Sequence, residues 1–372
     1  MSIRVAIRTD SSVAIGTGHL FRCLTLADAL RRDGGSVSFI CRDLPGNLIA
    51  CIEDLDFPVL RLSSVNPPVD LRGEKLHQPF RQEAEWESDA RGTLRLLSET
   101  RKIDWLVVDH YALDDRWEGQ MRPEVRMIMV IDDMANRPHD CDLFLDQNFH
   151  EDHVLRYQGL LPERCRKLFG PRYALLRPEF LEVRKTMKNR DGRVRRILVF
   201  FGGTDPTNET EKALDAIRLL KRTDISVDVI VGDTNPNRER IRRLCSGTGN
   251  VIFCRQVKDM AMMMARSDLA IGAVGTTTWE RCYLGLPAIT LTIAENQLPI
   301  GEQVSKAGAI KSLGWHENVN AEDIAASVRE FLDGPLKLKK MGQKGMELVG
   351  GEFFEGAEGV LKEMIADADA TA

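Results

Sequence analysis

Residues 3 to 30 restrict the possible folds more than any other stretch of the chain. Ile3-Arg4-Val5-Ala6-Ile7 is apolar enough for a buried strand, and Arg8-Thr9-Asp10-Ser11-Ser12 carries it into the glycine turn Ile15-Gly16-Thr17-Gly18-His19. Apolar residues then recur at helical spacing, at Leu20, Cys23, Leu24, Leu26, Ala27 and Leu30, and give a helix with one buried face. Strand, glycine turn and helix in direct succession open a parallel α/β sheet. Gly16 and Gly18 let the backbone approach an anion closely, while the free N–H groups and dipole of the helix start attract it. A dinucleotide loop would place a third glycine where Phe21 stands and needs no histidine at its mouth. The stretch therefore reads as a phosphate cradle with a reactive group, His19, and with Asp10 as a further substrate contact.

The remaining chain repeats this alternation twice over. With 372 residues, 43% hydrophobic and 29% charged, it can bury two separate cores. Strands are expected at 36–41, 58–62, 104–109, 125–131 and 141–145, with helices near 47–55 and 81–100 and a long loop from Ser63 to Pro79. Polar residues collect at the strand ends: Asp109, Tyr111, Asp132, Asp133 and Asn148 should face the same crevice as His19, because open α/β sheets bind ligands beyond the carboxyl ends of their strands. A polar, basic stretch at 184–196 reads as a linker between domains of residues 1–183 and 197–352, with a C-terminal helix and tail over 353–372. After it, Ile197 to Phe201 runs into Gly202-Gly203-Thr204-Asp205-Pro206, where Asp205 can cap a helix with Pro206 at its first position. Strands at 226–231, 250–253, 268–271 and 288–292 alternate with further helices. The fold class is thus α/β, with two Rossmann-like doubly wound domains.

Composition excludes several classes of partner. A net charge of -5 without an extended basic face argues against nucleic acid. No apolar run is long enough for membrane insertion, and the opening residues carry no signal peptide, which predicts a cytoplasmic location. Eight cysteines without C-x-x-C spacing read as reduced core thiols. The histidines lack a third ligand at metal-site spacing, so neither a metal nor another cofactor is expected. Oligomeric state leaves no mark on the sequence.

Two loops carry the candidate chemistry. At the start of a helix, Gly275-Thr276-Thr277-Thr278-Trp279-Glu280 offers three hydroxyls and helix amides to a phosphate, and Glu280 to the hydroxyls of a ribose. The alternative is that the threonines cap the helix while Glu280 complements its dipole. The next strand delivers Glu295-Asn296-Gln297 to the same sheet edge. At His19 the helix N-terminus disfavours the imidazolium, leaving a neutral ring able to act as general base; the alternative is a histidine bound to a nearby carbonyl.

These segments resemble the UDP-2,4-diacetamido-2,4,6-trideoxy-β-L-altropyranose hydrolase family, nucleotide-sugar hydrolases of pseudaminic acid biosynthesis. The resemblance is carried by 8–12 with 15–19, Val108-Asp109-His110-Tyr111, Tyr173-Ala174-Leu175-Leu176-Arg177, Gly202 to Asp205, and Gly275 to Pro287 with Glu295 to Gln297. It implies a glycosyltransferase type B architecture with an interdomain cleft and a UDP-sugar substrate, the UDP held mainly by the second domain, where Gly203, Thr276, Thr277, Thr278 and Gln297 would contact it and Glu280 the ribose. It also implies His19 as the base that activates water, Tyr111 and Asn296 near the sugar, and no metal. An inverting UDP-sugar-dependent glycosyltransferase, whose glycine loop with adjacent histidine is similar, is the alternative reading.

Overall fold

The computed structural model describes residues 3–12, 15–62, 83–255, 257 and 259–370; the loop expected from Ser63 to Pro79 lies outside the described residues. The chain divides into two compact units, Met1–Leu175 with Glu355–Ala372, and Leu176–Phe354. The basic stretch 184–196 thus falls inside the second unit, and residues from Glu355 onward belong to the first.

In the first unit the strands are β1 (Arg4–Thr9), β2 (Ser36–Arg42), β3 (Val59–Leu62), β4 (Ile103–Asp109), β5 (Val125–Ile131), β6 (Leu143–Asp146) and β7 (Arg166–Phe169). They pair in parallel in the order β3-β2-β1-β4-β5-β6-β7. Successive side chains point to opposite faces, and both faces are buried. Val5, Ile7, Trp105, Val107, Met129 and Ile131 pack with the helix Gly18–Arg32 on one side. Ala6, Leu106, Val108, Ile128 and Val130 pack on the other with Ala90 and Leu97 of the helix Glu83–Ser98 and with Trp117. The C-terminal helix Gly356–Ala370 completes the first face with Val360, Leu361 and Met364, and the Trp105 indole N–H donates to the Met364 carbonyl at 3.2 Å.

The second unit repeats the plan with β8 (Arg196–Phe200), β9 (Ser226–Val231), β10 (Val251–Arg255), β11 (Leu269–Ala273), β12 (Ala288–Thr292) and β13 (Lys311–Trp315), in the order β10-β9-β8-β11-β12-β13. In both sheets the order reverses between the first strand and the fourth, β1 beside β4 and β8 beside β11, which is where doubly wound folds bind ligands. At this point in the second sheet the packing requires glycine: a Cβ on Gly272 of β11 would stand 2.2 Å from the Phe200 carbonyl oxygen.

Two strands have no counterpart in the sequence pattern, β7 and β13. Both lie at sheet edges, where a strand has one neighbour and needs no continuous apolar run. The Asp205 cap also differs from expectation. Asp205 has φ 40°, and its carboxylate accepts from the Glu209 and Thr210 N–H groups at 2.9 and 3.0 Å. The helix therefore begins at Glu209, and Pro206 lies in the preceding turn rather than at the first helical position.

Candidate active site

The first unit's site is built across the β1/β4 switch point. Gly16 has φ 83°, a conformation that favours glycine, and its N–H closes the turn onto the Ser12 carbonyl at 2.9 Å. The following helix starts at Gly18, and its ladder begins with Phe21 N–H donating to the Thr17 carbonyl, so the N–H groups of Gly18, His19 and Leu20 precede the ladder. Thr9 of β1 lies beside Asp109 of β4, and this register brings the Asp109 carboxylate under the helix.

There His19 Nδ1 meets Asp109 Oδ1 at 2.5 Å. Arg22, three residues on along the helix, donates from Nε to Asp109 Oδ2 and from Nη2 to Oδ1, each at 2.6 Å. With Arg22 able only to donate, the carboxylate is the acceptor for both neighbours, which places a proton on His19 Nδ1. Among the described residues nothing hydrogen-bonds to Nε2. Burial alone would raise the Asp109 carboxyl, but the Arg22 and His19 charges overcome it and hold it well below the usual carboxylate range.

The Tyr111 ring stands edge-on to the His19 imidazole, with centroids 4.5 Å apart and planes at 81°. Its hydroxyl donates to Asp133 Oδ1 at 2.7 Å, and Asn148 Nδ2 donates to Asp133 Oδ2 at 2.7 Å. Burial, followed by the Asp133 charge, keeps the Tyr111 phenol protonated far above its ordinary range. His19, Asp109, Tyr111, Asp133 and Asn148 are thus joined in one contact chain, as the strand-end pattern predicts.

Two expected members are placed elsewhere. Asp132 turns away to Arg137 at 2.6 Å and to the Met134 N–H at 3.0 Å. Near it His139 donates to Glu118; burial would lower this imidazole, but the Asp132 and Glu118 carboxylates beside it raise it to about 9. Asp10 is saturated: Oδ1 accepts from Arg8 and the Arg42 N–H, both at 2.7 Å, and Oδ2 from Arg8 at 2.8 Å, with His110 Nε2 at 3.2 Å. It ties β1 to β2 and β4 instead of facing a ligand, because the buried Arg8 beside it demands a counter-charge.

In the second unit the loop after β11 is internally braced. Thr278 is fully buried, and its hydroxyl oxygen accepts from the Gly275 N–H at 3.2 Å and from Arg281 Nη2 at 3.0 Å. Arg281 also donates to the Ala273 carbonyl at 2.7 Å, and its burial lowers the guanidinium to about 10. Thr278 therefore shapes the loop from inside, while Thr276 and Thr277 remain half-buried. Gln297 accepts from the Ile293 N–H at 3.1 Å, and its Nε2 lies 3.8 Å from where a Cβ on Gly275 would stand, so the 275–280 and 295–297 segments meet. Asn296 sits in the same short turn, Glu295–Gln297. The Gly203 carbonyl packs on Gly232, whose added Cβ would approach it to 2.2 Å. Glu280 pairs with Arg177 at 3.2 Å.

Sequence reasoning gave Arg22, Arg177 and Arg281 no role, although the last two lie in segments that carry the resemblance. The available signal for Arg22 was its position one helical turn after His19; the other two are buried or half-buried arginines that only tertiary packing distinguishes. Among the described residues no three His, Cys, Asp or Glu side chains gather as a metal site, and no helix is long and apolar enough to cross a membrane.

Comparison with known proteins agrees with this architecture. Residues 197–351 match the glycosyltransferase family 28 C-terminal domain. The chain is 27% identical over 306 residues to the UDP-2,4-diacetamido-2,4,6-trideoxy-β-L-altropyranose hydrolase of Campylobacter jejuni, spanning 82% of this chain and 97% of that one. It is 25% identical over 299 residues to an uncharacterized protein of Methanocaldococcus jannaschii, 78% of this chain, and covers only 55% of that protein's length. Among solved structures, Acinetobacter baumannii MurG superposes with a TM-score of 0.65 at 14% identity, with 98% of this chain and 99% of that chain covered. The protein therefore has two parallel-sheet α/β domains like those of glycosyltransferase type B enzymes, and is similar in sequence to a named UDP-sugar hydrolase.

Proposed function

We propose that the protein hydrolyses a UDP-linked diacetamido-trideoxy sugar at its anomeric carbon, releasing UDP and the free sugar with inversion, in nonulosonic acid biosynthesis. The observation that carries this reading is the His19–Asp109 pair at 2.5 Å, which leaves Nε2 as a proton acceptor next to a glycine loop. Nε2 takes a proton from water as the water oxygen bonds to C1; the C1–O bond to the β-phosphate breaks, and UDP leaves with the bonding pair. The imidazolium formed is stabilised by Asp109, which stays ionised because Arg22 neutralises its second oxygen. Tyr111, held upright by Asp133, and Asn296 contact the sugar, and the loop of Gly16 and Gly18 accepts the substrate beside His19.

In this reading the second unit binds the nucleotide. Gly203, Thr276, Thr277 and Gln297 contact UDP, and Glu280 takes the ribose hydroxyls. Thr278 acts by holding that loop in shape. The diphosphate charge is met by backbone N–H groups, and the reaction needs no metal or other cofactor. The match to the family 28 domain favours a second reading, an inverting glycosyltransferase in which an acceptor hydroxyl replaces water.

The test is UDP release from the candidate UDP-sugar with no acceptor present. His19→Ala should lower turnover about a hundredfold or more while leaving UDP affinity unchanged. Wild-type turnover in that variant would remove His19 from the mechanism.

A further inference from the structure

The second unit contains a half-buried glutamate whose carboxylate is only half used. Glu280 Oε1 accepts from Arg177, with Nη2 at 3.2 Å and Nε at 3.4 Å. Oε2 is withdrawn from solvent and has no hydrogen-bond partner among the described residues. Native proteins seldom leave such an atom unmatched, and the hydroxyl of a bound ligand is one donor that completes it.

Arg177 is itself fixed. Its Nη1 lies 3.0 Å from Glu179, its guanidinium stands 5.1 Å over the fully buried Phe180 ring, and the helix Pro178–Thr186 begins at the next residue. A planar fork held on one side by a carboxylate and on one face by an aromatic ring presents its remaining N–H groups in a set direction.

Resting on the reading of Glu280 as the ribose ligand, we propose that Arg177 is its positioning residue: the guanidinium occupies Oε1 and leaves Oε2 as the acceptor offered to a ribose hydroxyl. Four influences act on this carboxyl. Burial raises it, Arg177 lowers it, Glu179 raises it again and Arg281 lowers it, with a net rise above the ordinary glutamate value. Arg281 donates from Nη2 to the Ala273 carbonyl and to Thr278, and the helix Pro335–Leu348 meets Glu280's helix through Gly345 against Cys282. Arg177 is thus the cation hydrogen-bonded to Glu280, and its loss tips the carboxyl toward its neutral form, in which one oxygen carries a proton and accepts poorly.

The experiment is calorimetric titration of UDP into the full-length wild type, Arg177→Ala, Arg177→Lys, Glu280→Gln and the double variant Arg177→Ala/Glu280→Gln, at pH 6, 7 and 8. The wild type at each pH serves as reference, which cancels the titration of UDP itself. Arg177→Ala should weaken UDP at pH 6 and by less at pH 8, because a carboxyl without its cation keeps its proton further up the pH range. Arg177→Lys retains the charge and should keep most of the wild-type pH profile. In the double variant, Arg177→Ala should add nothing to the loss caused by Glu280→Gln, because the two act as one unit. Should Glu280→Gln weaken UDP while Arg177→Ala shows a pH-independent or additive effect, the positioning role is overturned and the ribose reading survives. Unchanged UDP affinity in Glu280→Gln overturns both together.

Discussion

At the scale of single residues, the first unit gives two strand-end carboxylates opposite roles. Asp109 is ionised because Arg22 grips it. Asp146, at the end of β6, is fully buried and pushed up to about 8 by burial and by the nearby Asp133 charge, against the hydrogen bonds from the Asn148 N–H and the Tyr157 hydroxyl. A carboxyl whose folded pKa is raised binds its proton more tightly in the native state, so its contribution falls as pH rises from the ordinary aspartate value through about 8. Asp146→Asn, neutral at every pH and nearly isosteric, should therefore melt higher than wild type at pH 8, with the difference vanishing near pH 4. Thermal scans across that range check this; a difference that grows toward acid pH would show that Asp146 is ionised in the fold. His139 has the same sign by a different cause: its partners raise it to about 9, and its stabilisation is complete below pH about 6.5 and lost as pH passes 9.

Secondary-structure elements were legible in proportion to their burial. The central strands β1, β4, β5, β8 and β11 announce themselves because both faces are covered, which forces unbroken apolar runs. Edge strands β7, Arg-Lys-Leu-Phe, and β13, Lys-Ser-Leu-Gly-Trp, carry polar residues and escape a pattern search. The loop after β11 was legible as a loop but not in its inner wiring: three consecutive threonines are indistinguishable in sequence, and only packing turns Thr278 inward to Gly275 and Arg281. Thr278→Val keeps the shape and removes the acceptor, stranding an N–H and a buried guanidinium. It should cost about 1–3 kcal/mol of stability and weaken UDP binding, whereas Thr276→Val should leave stability unchanged. Denaturant unfolding of the two variants distinguishes them, and equal stability would return Thr278 to the role of a direct ligand. The stretch 184–196 hid a structural arginine: Arg190 donates to the Ser267, Met264, Ala265 and Leu284 carbonyls, closing the ends of two helices, although its sequence surroundings read as a solvated linker.

For the whole molecule, two doubly wound sheets follow from the repeated strand–helix alternation, and the residues that join His19 were largely foreseeable as polar strand ends. The return of the chain to its first unit was not. Nothing in an amphipathic helix says which core it covers, and Val360, Leu361 and Met364 complete the face made by Val5, Ile7 and Trp105. Deleting residues 355–372 uncovers that face, so hydrogen exchange should accelerate at β1 and β4 and stay slow at β8 and β11. Uniform protection in the truncated chain would place the helix outside the first core.

In the proposed reaction water, activated by His19, attacks carbon and not phosphorus. The most direct measurement is the reaction run in ¹⁸O-labelled water with no acceptor alcohol. The label should enter C1 of the free sugar and be absent from UDP, and NMR should detect the inverted anomer before mutarotation. Label in a phosphate, or UDP release only after an acceptor is added, would contradict the account, the second result in favour of a glycosyltransferase.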